Sequence, residues 1–407
     1  MSRLLTQKLR RFDVSFDYAD RYETALERLR SQNYDFLLLD IMIPAGNEPA
    51  SEKWSRQLLR DVVDGTLCFP MHVFGVTEHG EIAESERQFY EENMFGFFLF
   101  DWSKTEWATR IAAKIEYLSL ALQNGAAYRL NSYDYDLLIL TARGPSEFAP
   151  VKERLFGSQK GVGHSLWPNQ SYFGQLNLGP KRKLRAAFIC IGEAGLAPAA
   201  AMTAQAIQVL RPRTVAMLGM CAGFASKGMK LLDVIVARES ACWQEGKSLE
   251  DDDGEIFDSR AKNRNSSDEL GRRIDLYLET YSDELEKIIE KRSREREYLQ
   301  LYGQYRDHMR ETPKVRSGLI VSGSEIVASK ETTEEVSRRN PSAIGLEMEI
   351  FAVYTAAKLS LGKKCEFIAI KGVADFGDKE KRDATQSFAS TLSADVLRFF
   401  LEKEMQR

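Results

Sequence analysis

The chain has 407 residues, 43% of them hydrophobic and 29% charged, with a formal net charge of −4. That length exceeds one ordinary core, so two domains are expected. The acidic balance argues against non-specific nucleic-acid binding, which depends on an excess of Lys and Arg, and no apolar run approaches the length of a membrane span. The basic N-terminus MSRLLTQKLRRF lacks an apolar core and a cleavage site, so it does not read as a signal peptide. Cys68, Cys190, Cys221, Cys242 and Cys365 are scattered, and they read as reduced thiols of a cytoplasmic protein. The isolated histidines share no metal-ligand spacing with them, so no zinc site is expected.

In chain order, DVSFDYA (13–19) has strand character and YETALERLRSQ (22–32) helical spacing. YDFLLLDIMIP (34–44) is an apolar strand ending at Asp40, with Pro44 closing the turn. The pattern then alternates: a helix in SEKWSRQLLRDVV, a strand in MHVFGVTE ending at Thr77, a helix in ESERQFYEEN, an aromatic strand in FGFFLFDW, and a helix from TEWATRIAAKIEYLSLAL. Such alternation predicts a doubly wound parallel sheet over 1–123. NGAAYRLNS (124–132) is small and polar and reads as a linker.

LLLDIMIP resembles the phospho-acceptor strand of response-regulator receiver domains, which are flavodoxin-like. The resemblance implies Asp40 as the phosphoryl acceptor, Thr77 as the hydroxyl switch, a Mg²⁺ ion and a partner histidine kinase or sensor. Two departures stand against phosphorylation. No acidic residue precedes Asp13, so the acidic pair that would hold Mg²⁺ is not seen, and Asp101 and Trp102 stand where the family has Lys, with Lys104 later. A turn-capping strand-end residue is the structural alternative for Asp40.

From residue 133 the strands resume. YDYDLLILTARGPSEFAPVKERL is a strand leaving at Thr141, with Glu147 near the start of a short helix, where an acidic residue commonly complements the macrodipole. AAFICIGEAGLAPAAAMTAQAIQVLRP is strand, glycine turn and helix. Gly192 and Gly195 permit close backbone approach, but this is no dinucleotide fingerprint. Residues 244–313 are highly charged. EDDDGEIFDSRAKNRNSSD reads as polar loop, and Ser266 with Glu269 has capping-box spacing. Leu270, Ile274, Leu278, Tyr281, Leu285 and Ile288 form one stripe on a long helix, facing a neighbour or a partner subunit. Three later strands end in polar residues: LIV at Ser322, AIGL at Glu347 and Glu349, and FIAIKGVA at Asp375. Ligands of open α/β sheets sit beyond such carboxyl ends. Two neighbouring carboxylates need partners; Arg316 or Lys371 would hold one of them as scaffold.

GLEMEIFAVYTAA, GVADFGD and VSGSEIVAS together resemble the nucleoside phosphorylase/nucleosidase superfamily, and more closely its methylthioadenosine/S-adenosylhomocysteine nucleosidases, over 134–403. This implies a Rossmann-like α/β domain (133–407), with 244–313 as a helical insertion, that cleaves the N-glycosidic bond of a purine nucleoside. It implies Asp375 as the acid protonating the leaving base and Glu147 as the group activating water. Glu349 and the Met348 backbone would hold the ribose hydroxyls. Ser322, Glu347, Ile326, Gly192 and Met220 (in GMCAGF, which resembles the family's ribose- and base-lining turn) would line the pocket, with Lys371 supporting Glu347. The logic is that of inverting glycosidases. Met217 stands where phosphorylases carry the Arg that holds inorganic phosphate, which favours water as nucleophile.

Arg260, Lys262 and Arg264 would form a cationic loop holding a nucleotide's phosphates. A receiver fused to such a domain resembles bacterial anti-phage effectors whose nucleosidase destroys ATP. That implies a homo-oligomeric hydrolase needing no cofactor in this domain. The alternatives are a housekeeping methylthioadenosine nucleosidase, a phosphorylase, and a non-catalytic nucleotide sensor.

Overall fold

The computed structural model describes residues 2–12, 14–68, 70–93, 95–99, 101, 103–130, 132–167, 170–179, 182–251, 254–259, 262–380 and 382–404. The chain divides into two compact units, 1–128 and 129–407. Among the described residues no helix is long and apolar enough to cross a membrane.

The first unit contains α1 (Ser2–Lys8), α2 (Tyr22–Ser31), β1 (Phe36–Asp40), β2 (Ile43–Ala45), β3 (Glu48–Ser51), α3 (Glu52–Val63), β4 (His72–Thr77), α4 (Gly80–Glu92), β5 (Gly96–Leu99) and α5 (Glu106–Leu130). Strands β1, β4 and β5 form a three-stranded parallel sheet in that order. Strand residues alternate between two apolar clusters, as the period of two requires. Leu37, Leu39 and Val73 join Leu58, Leu59 and Val62 of α3, while Phe36, Leu38 and Val76 join Leu5 of α1, Leu9 just after it and Ile111 of α5.

Two expectations are corrected in this unit. Residues 14–19 are irregular rather than a strand, because they find no ladder partner among the described residues. The stretch read as a linker is helical as far as Leu130. A single Gly125 in an exposed helix costs only about 1 kcal/mol and does not stop it.

The second unit runs β6 (Tyr135–Thr141), α6 (Ala149–Phe156), β7 (Ser171–Gly179), β8 (Arg182–Cys190), α7 (Leu196–Leu210), β9 (Pro212–Gly223), β10 (Val234–Cys242), β11 (Gly246–Asp251), β12 (Gly254–Ser259), β13 (Arg264–Asn265), α8 (Asp268–Thr280), α9 (Ser282–Ser293), α10 (Arg296–Gln304), β14 (Val315–Ser322), α11 (Lys330–Arg339), β15 (Ala343–Glu347), α12 (Ile350–Leu359), β16 (Glu366–Asp375) and α13 (Asp383–Glu404). Among the described residues nine strands form one mixed sheet, eight of them in the order β13-β10-β14-β15-β9-β6-β8-β7 and β16 off this path. Strand β16 pairs parallel to β9 and antiparallel to β10. It therefore closes a ring through β10, β14, β15 and β9, so part of the sheet curls on itself instead of staying open. Tyr354 of α12 ties this ring: its hydroxyl donates to the Ala237 carbonyl and accepts from the Ala369 amide.

The charged segment also departs from expectation. The stretch 250–268, read as polar loop, instead holds the end of β11, all of β12, which pairs antiparallel with β11, and β13. The long helix is broken at Tyr281 into α8 and α9. Its stripe nevertheless packs inward, with Leu270, Ile274 and Leu285 in the main core and Leu278, Tyr281 and Ile288 partly buried against it. The capping box does not form. Ser267 precedes α8 with its hydroxyl accepting from the Phe367 amide, and buried Ser266 bonds Arg238 instead. Asp395 of α13 pairs with Arg154 of α6 and Arg292 of α9, fixing the segment to the domain.

Candidate active site

The ring of strands brings four charged side chains together out of water. Lys371 lies on β16, in register with Gly219 of β9 and Ile235 of β10. It is fully buried, and its Nζ lies 3.5 Å from Glu349, 3.7 Å from Glu347 and 3.9 Å from Glu147. Burial alone would lower the ammonium's pKa, but the three carboxylates more than offset this and raise it.

Glu147 is carried by a π-helical turn, Gly144–Phe148, that follows β6. Its Oε2 accepts from the Ala142 and Arg143 amides, both at 2.8 Å, and its Oε1 from the Met220 amide at 2.9 Å. Burial pushes its pKa up, Lys371 pulls it down and Glu349 pushes it up again; the net direction is upward. Gly219 has φ +133°, and a Cβ there would lie 2.0 Å from Glu147 Oε1, so a glycine is required beside this carboxylate.

Glu349 ends the turn before α12. It accepts from the Gly195 amide at 3.1 Å and contacts Lys371. Burial, opposed by Lys371 and reinforced by Glu347, brings its pKa up to about 7. Glu347 is fully occupied: it accepts from the Glu349 amide at 2.8 Å, from the Ile350 amide at 3.0 Å and from the Ser322 hydroxyl. Ser322 in turn lies 2.9 Å from Ser240 and accepts from the Phe351 amide at 3.0 Å. The structure thus commits Glu347 and Ser322, both buried, to holding the start of α12. They were expected to line the pocket; their polar atoms are turned to the scaffold instead. Arg316 binds the Lys227 carbonyl and supports neither glutamate.

Asp375 ends β16, half-buried, four residues beyond Lys371. Its Oδ1 accepts from the Gly377 amide at 2.8 Å. Burial raises its pKa and Asp378 adds to this, while that amide, Arg382 and Arg143 draw it down. The net direction is upward. The loop after Asp375 is braced by Arg382, itself buried, which holds Asp378 at 2.6 Å and also pairs with Glu380. The Gly377 carbonyl accepts from Thr333 at 2.8 Å.

Other expected positions differ in setting. Met220 and Met348 are half-buried beside Glu147 and Glu349 respectively, and Gly192 (φ +90°) lies in the turn after β8. Ile326 is 67% exposed in the loop after β14. Met217 is fully buried in the core. Arg264 lies over the Phe351 ring at 5.4 Å and donates to Thr355 at 3.3 Å; Lys262 is exposed, and Arg260 lies outside the described residues. In the first unit Asp40 is exposed at the end of β1 and caps its own turn by accepting from the Met42 amide at 3.0 Å. Thr77 is fully buried, and its hydroxyl accepts from the His79 amide at 3.2 Å. Sequence reasoning missed Gly219, the amides of Ala142 and Gly195, Arg143 and Arg382. A glycine, a backbone amide or an arginine in a loop carries no signal until the strands are placed.

An α/β domain with carboxylates clustered at strand ends defines the class of protein. Residues 138–402 match the phosphorylase superfamily, and the chain belongs to it. It is 25% identical to the protein y4jS of Sinorhizobium fredii over 97% of this chain and 94% of that one. It is 27% identical to the ATP nucleosidase Cap17 of Escherichia coli over 65% of this chain. The match spans only 51% of that relative's length. The 5′-methylthioadenosine/S-adenosylhomocysteine nucleosidase of Neisseria meningitidis, solved with methylthio-immucillin-A, aligns with a TM-score of 0.46 at 19% identity, over 66% of this chain and 99% of its own.

Proposed function

We propose that the chain is a purine N-glycosidase that hydrolyses the adenine–ribose bond of an adenine nucleotide, with ATP giving adenine and ribose 5′-triphosphate. The observation that carries this reading is the gathering of Glu147 and Glu349 around Lys371, with Asp375 at the end of the same strand. Breaking a ribosyl C–N bond leaves an electron-rich purine and a cation-like sugar. Asp375, raised by burial, keeps its proton closer to neutrality and can deliver it to the departing base. Glu147, anchored by three amides, takes a proton from the attacking water on the other face. Glu349 is placed by the Gly195 amide to bind the ribose hydroxyls. Lys371 neutralises the carboxylate cluster without taking part in proton transfer, since its pKa is raised. Met217, buried in the core, offers no cation to inorganic phosphate, which supports water as the nucleophile.

The first unit reads as a receiver-like control module, whose Asp40 would accept a phosphoryl group from a histidine kinase or respond to a sensor by binding alone. The similarity to a protein named ATP nucleosidase supports ATP as the substrate, and a role in anti-phage defence with a homo-oligomer as the working form belongs to the same proposal.

The test is product analysis by mass spectrometry after incubation with ATP, adenosine or methylthioadenosine, with and without inorganic phosphate, beside Asp375→Asn. Adenine plus ribose triphosphate from ATP, indifferent to phosphate and absent in the variant, is the expected outcome. Adenine from methylthioadenosine alone would assign the housekeeping reaction. Phosphate-dependent release would assign a phosphorylase. No adenine from any substrate, with the first unit present or deleted, would leave a sensor.

A further inference from the structure

The carboxylate cluster poses a problem for a phosphorylated substrate. Three buried glutamates face one lysine, and Asp375 adds a fourth carboxyl group nearby. This surplus of acid repels phosphate, so a nucleotide needs a cation at the rim. Arg382, the arginine bracing Asp375, is already engaged by Asp378 and Glu380. Arg264 is engaged by Phe351 and Thr355.

Arg143 differs from both. It occupies the loop between β6 and the π-helical turn, and its amide holds Glu147 Oε2 at 2.8 Å. Its position is therefore fixed relative to the proposed base. Its side chain is exposed, and among the described residues its guanidinium makes no hydrogen bond and no ion pair. It is close enough to Asp375 to act on that carboxyl electrostatically. An exposed guanidinium without a partner among the described residues, on a loop whose amide anchors the proposed base, is suited to an anion that arrives with the substrate.

We propose that Arg143 is a phosphate-recognition residue at the rim of this site, binding a phosphate group on the loop that anchors Glu147 and so selecting nucleotides over nucleosides. The proposal rests on the nucleosidase reading of the same site. The phosphate has two sources, the nucleotide's own 5′ chain or free inorganic phosphate, and the chemistry of recognition is shared.

The experiment compares wild type, Arg143→Met and Arg143→Lys in the full chain, by adenine release from ATP and from adenosine, with and without inorganic phosphate. Equilibrium binding of ATP and of adenosine is measured alongside. The Arg143→Met variant is expected to lower kcat/KM for ATP on the order of 10- to 100-fold, the effect of one charge-assisted contact. Adenosine turnover should change less than about threefold on the same reasoning, and Arg143→Lys should recover part of the ATP rate. If the loss appears instead as a lost response to added phosphate with adenosine, the residue still binds phosphate and the source is free phosphate. Equal losses on ATP and adenosine, or no loss on either, overturn the proposal. If wild type releases no adenine at all, the nucleosidase reading fails by itself. Binding then decides: weaker ATP binding in Arg143→Met with unchanged adenosine binding upholds the phosphate contact, and unchanged ATP binding overturns it.

Discussion

Glu349 carries the most informative titration of the molecule. Its folded pKa of about 7 lies above the ordinary 4.5, so the folded state holds a proton that the unfolded state releases. Stability from this group is therefore complete below about pH 4.5 and is lost as pH rises through about 7, by at most about 1.4 kcal/mol per pH unit. Denaturant titration of wild type should show that slope, and Glu349→Gln should flatten it; an unchanged slope in the variant would place the titration elsewhere. Lys371→Met leaves buried carboxylates without their cation, and a loss of about 3–5 kcal/mol is expected. That loss should deepen with rising pH, as the orphaned carboxylates resist ionisation, and urea midpoints at pH 6 and pH 8 would test it. At this scale the sequence marked Glu349 and Asp375, which follow apolar strands, whereas Glu147, in the loop beyond Thr141, was marked only by the family resemblance. It was poor at separating scaffold from pocket. Glu347 and Ser322 look like strand-end ligands until their hydrogen bonds are counted, and Lys371 looks like the partner of one glutamate when it contacts three.

At the scale of elements, alternating patterns located most helices and strands, and the errors share a cause. The hairpin β11–β12 is mostly polar, with Leu249, Ile256 and Phe257 too few to make an apolar alternation that reads as a strand pair. Residues 14–19 have the alternation but no neighbouring strand to satisfy it. Curling of the sheet through β16 depends on which strand lies beside which, information that no single segment holds. Strand β9 supplies the sharpest test, because Gly219 gives Glu147 its room. Gly219→Ala should abolish most adenine release, while strain of about 1–3 kcal/mol lowers the denaturation midpoint. Gly125→Ala, on an exposed helical face with nothing within 4 Å, should instead gain about 0.5–1 kcal/mol and leave activity intact. Equal behaviour of the two variants would contradict the account of Gly219.

For the whole molecule, each unit has apolar clusters of its own. Differential scanning calorimetry of the full chain is therefore expected to resolve two transitions, one of which persists in a 129–407 fragment. A single transition that vanishes in the fragment would mean that the units fold as one. The division into two was legible from length and from the restart of strand patterning near residue 133, but the joint was not, because helix α5 runs through it. The buried ammonium of Lys371 has one more consequence. It is protonated and shut from solvent, so an acylating reagent should leave it untouched while exposed lysines such as Lys53 and Lys262 react. Slow acylation of Lys371, followed by peptide mass spectrometry, would then serve as a clock for how often the closed ring of strands breathes open, and bound nucleotide should slow that clock.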